Sequence, residues 1–222
     1  MAALANYAAL KAAIQDDCAG RTDTSFVNAL PLFTARAEQR IYQGGGAPMP
    51  SPPLRIRSME VVDNAFPVTA GVATVPTPAT GQFLGFKRVA WLGSPKSVPQ
   101  YIQPDEFWLR ADQSRTQPAP TLYTIEATTM TMTPAVTGNL SVTYYAPLTP
   151  LQNDSDTNWL LTNAPDIYLQ GCLMYAYRWA KDDNRAQIAF GDFQTALTGL
   201  QEFDIGSRHS GNRLAPTLRR VV

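Results

Sequence analysis

Histidine, cysteine and charge are all scarce in this sequence. One His and two Cys among 222 residues leave little material for a catalytic or metal-binding constellation. Cys18 and Cys172 lie far apart, with no Cys-x-x-Cys pattern and no neighbouring His, so neither a disulfide framework nor a zinc site is signalled. Both read as buried thiols. His209 follows Arg208 in a segment without periodicity, and a Ser-His-Asp or Cys-His mechanism would have to be built on it. It reads instead as a residue of a contact-making tail. No run approaches the roughly 18 apolar residues of a membrane helix, and the opening MAALANYAALKAAIQDD lacks the basic start, apolar stretch and cleavage site of a signal peptide. The expectation is a soluble protein made in a reducing cytoplasm, with no membrane partner. Charged residues are only 16% of the chain, 18 Lys and Arg against 18 Asp and Glu, while 45% are hydrophobic. Such a chain is far from the disordered class and can bury a core without staples, as one domain or two small ones.

Enzyme chemistry is equally thin. Gly44-Gly45-Gly46 follows a helical pattern rather than a strand, precedes proline and has no Lys-Ser/Thr after it, so it terminates a helix rather than cradling phosphate. Asp16-Asp17, Asp182-Asp183 and Asp154-Ser155-Asp156 lack the spacing and distal Glu of a calcium loop. No cofactor, metal or catalytic residue is assigned. Tyr144-Tyr145, Phe107-Trp108, Trp159, Tyr168, Tyr175, Tyr177 and Trp179 are not interleaved with Lys and Arg, as stacking platforms for single-stranded nucleic acid are, and they suit a core or subunit interface. Arg55, Arg57, Lys87 and Arg88 offer a minority reading as a phosphate-facing set.

Charge is distributed unevenly. Residues 207–222 carry Arg208, Arg213, Arg219 and Arg220 and no acid, which leaves 14 basic against 18 acidic residues in 1–206. The body is four charges negative and the end four positive, the pattern of a separate binding element. Helical spacing covers 2–17, and then 24–43 with Thr24-Ser25 as cap; Pro31 predicts a break, with a main helix over 32–43. From 54 to 147, short β-branched and aromatic runs (55–63, 67–75, 83–92, 98–103, 121–127, 130–133 and 140–145) predict a small antiparallel sandwich or barrel. One short helix at 103–110 is expected to lie on it through Phe107 and Trp108. Asn163 and Asn184 are expected to cap two helices forming an antiparallel hairpin. The fold class is therefore α+β, a helical frame from both ends of the chain with an inserted antiparallel β sandwich or barrel-like region. The parts are 1–53 (helices and a Pro-rich linker), 54–150 (β), 151–206 (hairpin packing with the N-terminal helices) and 207–222 (extended tail).

The segment 140–200 resembles the head-to-tail adaptor, or connector, proteins of short-tailed bacteriophages. The matching features are a last strand ending in Tyr144-Tyr145 and Pro147-Leu148, the run Asn158-Trp159-Leu160-Leu161, Pro165-Asp166 with Tyr168-Leu169 opening a helix, and the turn Lys181-Asp182-Asp183. The stretch SFVNALPLFTARAEQRIYQ, with Pro31, Glu38 and Arg40, resembles the family's N-terminal helix. The resemblance implies a structural protein of the virion, made in the bacterial cytoplasm and placed at the head-tail junction. It implies a dodecameric ring of the chain itself, a portal protein on one side, a tail (nozzle or tail-hub) protein on the other, and genomic DNA passing through without sequence-specific contact. It assigns portal docking to the tail, through Arg208, Arg213, Leu214, Leu218, Arg219, Arg220, Val221 and Val222. Core or subunit contacts fall to Leu169, Leu173, Tyr177 and Phe193. The alternatives are a glycan-binding or depolymerising tail module, suggested by Trp91, Trp108 and the tyrosines, and a stopper or tail-tube protein of a long-tailed phage.

Overall fold

The computed structural model describes residues 4–114 and 116–208. It divides into two compact units, one built on the segments up to Ser58 and from Leu148, the other on Met59–Pro147. The fold is α+β, with helices at both ends of the chain and the β region inserted between them.

The first unit starts with α1 (Tyr7–Asp17), capped by Asn6, whose side chain accepts from the Ala9 amide at 3.0 Å. Tyr7, Leu10 and Ile14 share its buried face, the spacing of an amphipathic helix. α2 (Thr24–Gln43) is one unbroken helix with Pro31 inside it. The predicted break is absent because Phe26, Leu30, Phe33, Thr34, Ala37 and Ile41 are all buried along one stripe, while Pro31 faces solvent. Burial on both sides of the proline outweighs the lost amide bond and ring clash, which otherwise cost about 3 kcal/mol. The cap is Asp23, not the Thr24-Ser25 pair: its carboxylate accepts from the Phe26 amide at 3.1 Å. Gly44 ends α2 at φ 77°, and a Cβ there would stand 2.7 Å from the Ser51 carbonyl oxygen, so glycine is required by both conformation and space.

After the β insertion the chain returns through α4 (Trp159–Asn163), capped by Asn158, then α5 (Pro165–Trp179) and α6 (Asp183–Arg208). Asn163 closes α4 instead of capping α5, which starts after Ala164 with Pro165 in its first turn. Asp182, two residues before the predicted Asn184, caps α6 by accepting from the Arg185 amide. The helix continues to Arg208, so Ser207 and Arg208 are helical rather than part of an extended tail. Both α2 and α6 pack on α5. They meet at Gly171, where a Cβ would lie 3.3 Å from the Ala37 methyl and 3.4 Å from the Phe193 ring.

The second unit holds two sheets. β1 (Glu60–Val68), β7 (Gly138–Tyr145) and β3 (Gly85–Trp91) form one in the order β1-β7-β3, all antiparallel. β2 (Val72–Thr74), β6 (Thr129–Thr133), β5 (Leu122–Glu126) and β4 (Gln100–Tyr101) form the other in the order β2-β6-β5-β4. The β4-β5 pair is parallel, a departure from the all-antiparallel expectation; the intervening α3 (Pro104–Ser114) supplies the crossover that parallel neighbours need. Residues from both sheets, among them Val68, Trp91, Tyr123, Met130, Met132, Leu140 and Val142, share one apolar cluster. The sheets do not close into a barrel. Phe107 of α3 is buried as expected, but Trp108 is 58% exposed.

Candidate assembly surfaces

Among the residues that carry the family resemblance, Glu38, Arg40, Asn158 and Tyr168 tie separate segments together. The Glu38 carboxylate on α2 accepts from the Leu151 amide and from the Tyr168 hydroxyl, each at 3.2 Å. Asn158 caps α4 through the Leu161 amide and donates to the Thr149 carbonyl and the Tyr168 oxygen, both at 2.8 Å. Arg40 holds its guanidinium over the Phe190 ring of α6, 5.1 Å from the centroid. Leu160, Leu161 and Tyr168 are wholly buried, Pro165 opens α5, and Trp159 stays partly exposed.

Burial raises the Glu38 carboxyl above the usual carboxylate range, and the two donated hydrogen bonds only partly offset it. Folding therefore favours the protonated acid, and this contribution to stability is lost as pH rises through the folded-state value. Glu38→Gln keeps an acceptor for both donors without the charge. We expect its melting temperature to equal the parent's at acidic pH and to exceed it in mildly alkaline buffer. Glu38→Leu strands the Leu151 amide and the Tyr168 hydroxyl and should cost about 2–4 kcal/mol at acidic pH in a denaturant titration, and less as pH rises. Burial also pushes the Tyr42 hydroxyl up to about 12.

Both cysteines are free and buried. Burial pushes the Cys172 thiol up to about 12, with Thr34 as its neighbour, and raises Cys18 as well. The nucleophilic thiolate is then essentially unpopulated near neutral pH. In a thiol titration with Ellman's reagent, Cys172 should stay silent in the native protein, and both thiols should react once denaturant is added.

The proposed contact residues differ in depth. Phe193 is fully buried and Leu173 nearly so, whereas Leu169 and Tyr177 are half-buried. Leu173 forms part of a surface groove with Asp17, Gln170, Tyr177, Arg185, Ile188 and Asp192. On α6, Ile188, Phe203 and Ile205 are well exposed. Trp91, which suggested a sugar platform, is buried in a slot: a Cβ on Gly93 or Gly138 would come within 2.6 Å of its ring.

The minority basic set is largely committed within the chain. Arg55 donates to the Tyr42 and Leu54 carbonyls, Arg57 pairs with Asp204, and Lys87 pairs with Glu60 at 2.6 Å; Arg88 is exposed. The acid clusters are likewise used as turn and tie elements: Asp154 pairs with Lys11, and the Asp156 carboxylate accepts from the Gln152 and Asn153 amides. Among the described residues no group of three or more His, Cys, Asp or Glu is placed to hold a metal, and no helix is long and apolar enough to cross a membrane.

The end of α6 contains a constellation that the sequence reading missed. Asp204 is buried, and its Oδ1 accepts from the Arg57 amide at 3.3 Å and Arg57 Nε at 3.1 Å. Its Oδ2 accepts from Arg208 Nε at 2.9 Å and Nη2 at 2.6 Å. Arg57 Nη2 also donates to Ser207 Oγ, at 2.5 Å. Burial works against ionising this carboxyl, but the hydrogen bonds from Arg208 and Arg57 prevail and hold it below the usual range. The signal in the sequence was a carboxylate continuing the core spacing of Phe193 and Leu197. Of the residues assigned to docking, only Arg208 is placed here; Arg213, Leu214, Leu218, Arg219, Arg220, Val221 and Val222 lie outside the described residues, as does His209.

Side chains spent on ties between segments, with apolar groups exposed on helix faces, suit a protein that works by assembly. The family model described as SU10 adaptor protein matches residues 5–218, and the chain belongs to that family of phage head-to-tail adaptors. It is a structural component of the particle and not an enzyme, which sets aside the depolymerase alternative. Membership carries a generic partnership with portal and tail proteins at the head-tail junction. No curated protein matches the chain.

Proposed function

We propose that copies of this chain close into a dodecameric ring beneath the portal. Residues 209–222 dock on the portal, the β unit meets the nozzle or tail-hub protein, and the genome slides through the ring without sequence-specific contact. The observation that carries the reading is the family match itself, which runs ten residues past the end of α6, as far as Leu218. The tail is thus part of the family pattern rather than an appendage. Its composition suits docking, since Arg213, Arg219 and Arg220 favour bidentate pairing with carboxylates, and Leu214, Leu218, Val221 and Val222 favour an apolar groove. Residues 1–206 carry 14 basic against 18 acidic groups, a balance that repels phosphate and lets DNA pass. Expression in the bacterial cytoplasm and incorporation into the virion follow from this role.

Light scattering of the purified protein, alone and mixed with portal rings of the same virus, tests the proposal. Addition of about twelve subunit masses to the portal supports it; a subunit that leaves the portal mass unchanged under every condition overturns it.

A further inference from the structure

We propose that Asp204, with Arg57 and Arg208, anchors the root of the C-terminal tail, so that Arg208 acts within its own subunit and the docking arginines begin at Arg213. This rests on the portal-docking reading of the tail but adds a positioning role to residues of the body.

The anchor is argued from what holds the last turns of α6. Ala186, Ala189, Phe193 and Leu197 bury the first half of the helix; beyond Leu197 the only buried residue is Asp204. Phe203 and Ile205, the large apolar residues on either side of it, are 70% and 58% exposed. Apolar packing therefore does not seat this end. What seats it is polar: Gln201 Nε2 donates to the Pro53 carbonyl at 2.9 Å, Arg57 reaches both Asp204 and Ser207, and Arg208 closes back on Asp204 in the same helical turn. The carboxylate is the group that the Arg57 and Arg208 contacts share. Removing its charge weakens the charge-assisted hydrogen bonds from Arg57 and Arg208, and a helix end lacking apolar burial frays.

The consequence for docking is geometric. With the anchor closed, residues 201–208 advance about 1.5 Å each along a fixed axis. With it open, the same residues extend to about 3.3 Å each in no fixed direction. A tail that leaves from a fixed point in a fixed direction loses less conformational freedom on binding than one that must first be gathered. The carboxylate that Arg208 would otherwise seek on a partner is supplied in cis, which separates it from the other three tail arginines.

The test compares Asp204→Asn, Arg57→Gln and the triple variant Arg213→Gln/Arg219→Gln/Arg220→Gln in the full-length chain, by amide hydrogen exchange and by portal recruitment. Arg57 is half exposed, so its replacement keeps the comparison interpretable if the Asp204 variant fails to fold. Asp204→Asn and Arg57→Gln should speed exchange at 201–208 about tenfold or more while leaving α5 protected, and weaken recruitment by about tenfold. The triple variant should abolish recruitment with exchange at 201–208 unchanged. Unaltered exchange in both anchor variants overturns the anchor. Faster exchange with undiminished recruitment overturns its positioning role. If the parent chain itself fails to bind portal, the docking reading falls, while the exchange measurement still decides whether the anchor exists.

Discussion

A subunit carrying Phe193→Asp does not fold. Phe193 has no exposed surface and stands where α2, α5 and α6 converge, its ring in contact range of the Gly171 position. The substitution removes a fully buried aromatic, worth about 3–5 kcal/mol when truncated to alanine, and adds a carboxylate whose ionised form has to stay in an apolar interior. That second penalty is again several kcal/mol, or is met by protonation with a similar loss at neutral pH. Their sum reaches or passes the roughly 5–15 kcal/mol by which such domains are stable. We expect loss of the cooperative thermal transition followed by helical circular dichroism, with the chain recovered in inclusion bodies. Leu173→Asp is the informative neighbour, because Leu173 borders a groove that contains Arg185 as well as two acids. It should destabilise less than Phe193→Asp, and a soluble Phe193→Asp variant with parental melting would contradict the packing described here.

Truncation after Arg208 has the opposite profile, a folded body that no longer joins portal. The cut belongs there rather than before Ser207, because Ser207 and Arg208 belong to the anchor around Asp204. The shortened chain should melt within a few degrees of the parent. If Arg213, Arg219 and Arg220 each make one charge-assisted contact of about 1.5 kcal/mol, removing them lowers portal affinity about a thousandfold. Mass measurement with and without portal rings reads both results. Undiminished recruitment by the truncated chain would remove the tail from the docking surface.

The sequence revealed types of element more readily than their ends or their partners. Apolar spacing located every helix of the first unit except α4, whose five residues are too short for a period to show. Caps were misplaced by one or two residues wherever Asp, Ser, Thr and Asn crowd together, as at Asp23 and Asp182, because local chemistry makes each of them competent and tertiary context chooses. Pro31 was read by propensity alone, although the stripe of buried residues on both sides of it was already legible. The parallel β4-β5 pairing leaves no mark in composition. Trp91 looked available on residue type alone, whereas Gly93 and Gly138, the second of them 47 residues away, are the walls of its slot. The anchor at Asp204 depends on Arg57, 147 residues earlier, and no local pattern joins the two. The remaining docking residues, Arg213 to Val222, were assigned by composition and family resemblance, and neither kind of observation gives them a geometry.

The insertion of Met59–Pro147 between the two halves of the helical unit has a consequence for biosynthesis. α2 ends at Gln43, but α5, the helix it packs on, is complete only at Trp179, 136 residues later. At about 5–20 residues per second, the apolar stripe of α2 waits roughly 7–27 seconds on the ribosome for its partner, long enough for the intervening β unit to emerge whole. During that interval Phe26, Leu30, Phe33 and Ile41 are uncovered. Yield of this subunit in the cell is therefore sensitive to translation rate and to holdase chaperones that shield the nascent N-terminal helices, even though the finished protein buries the same surface completely.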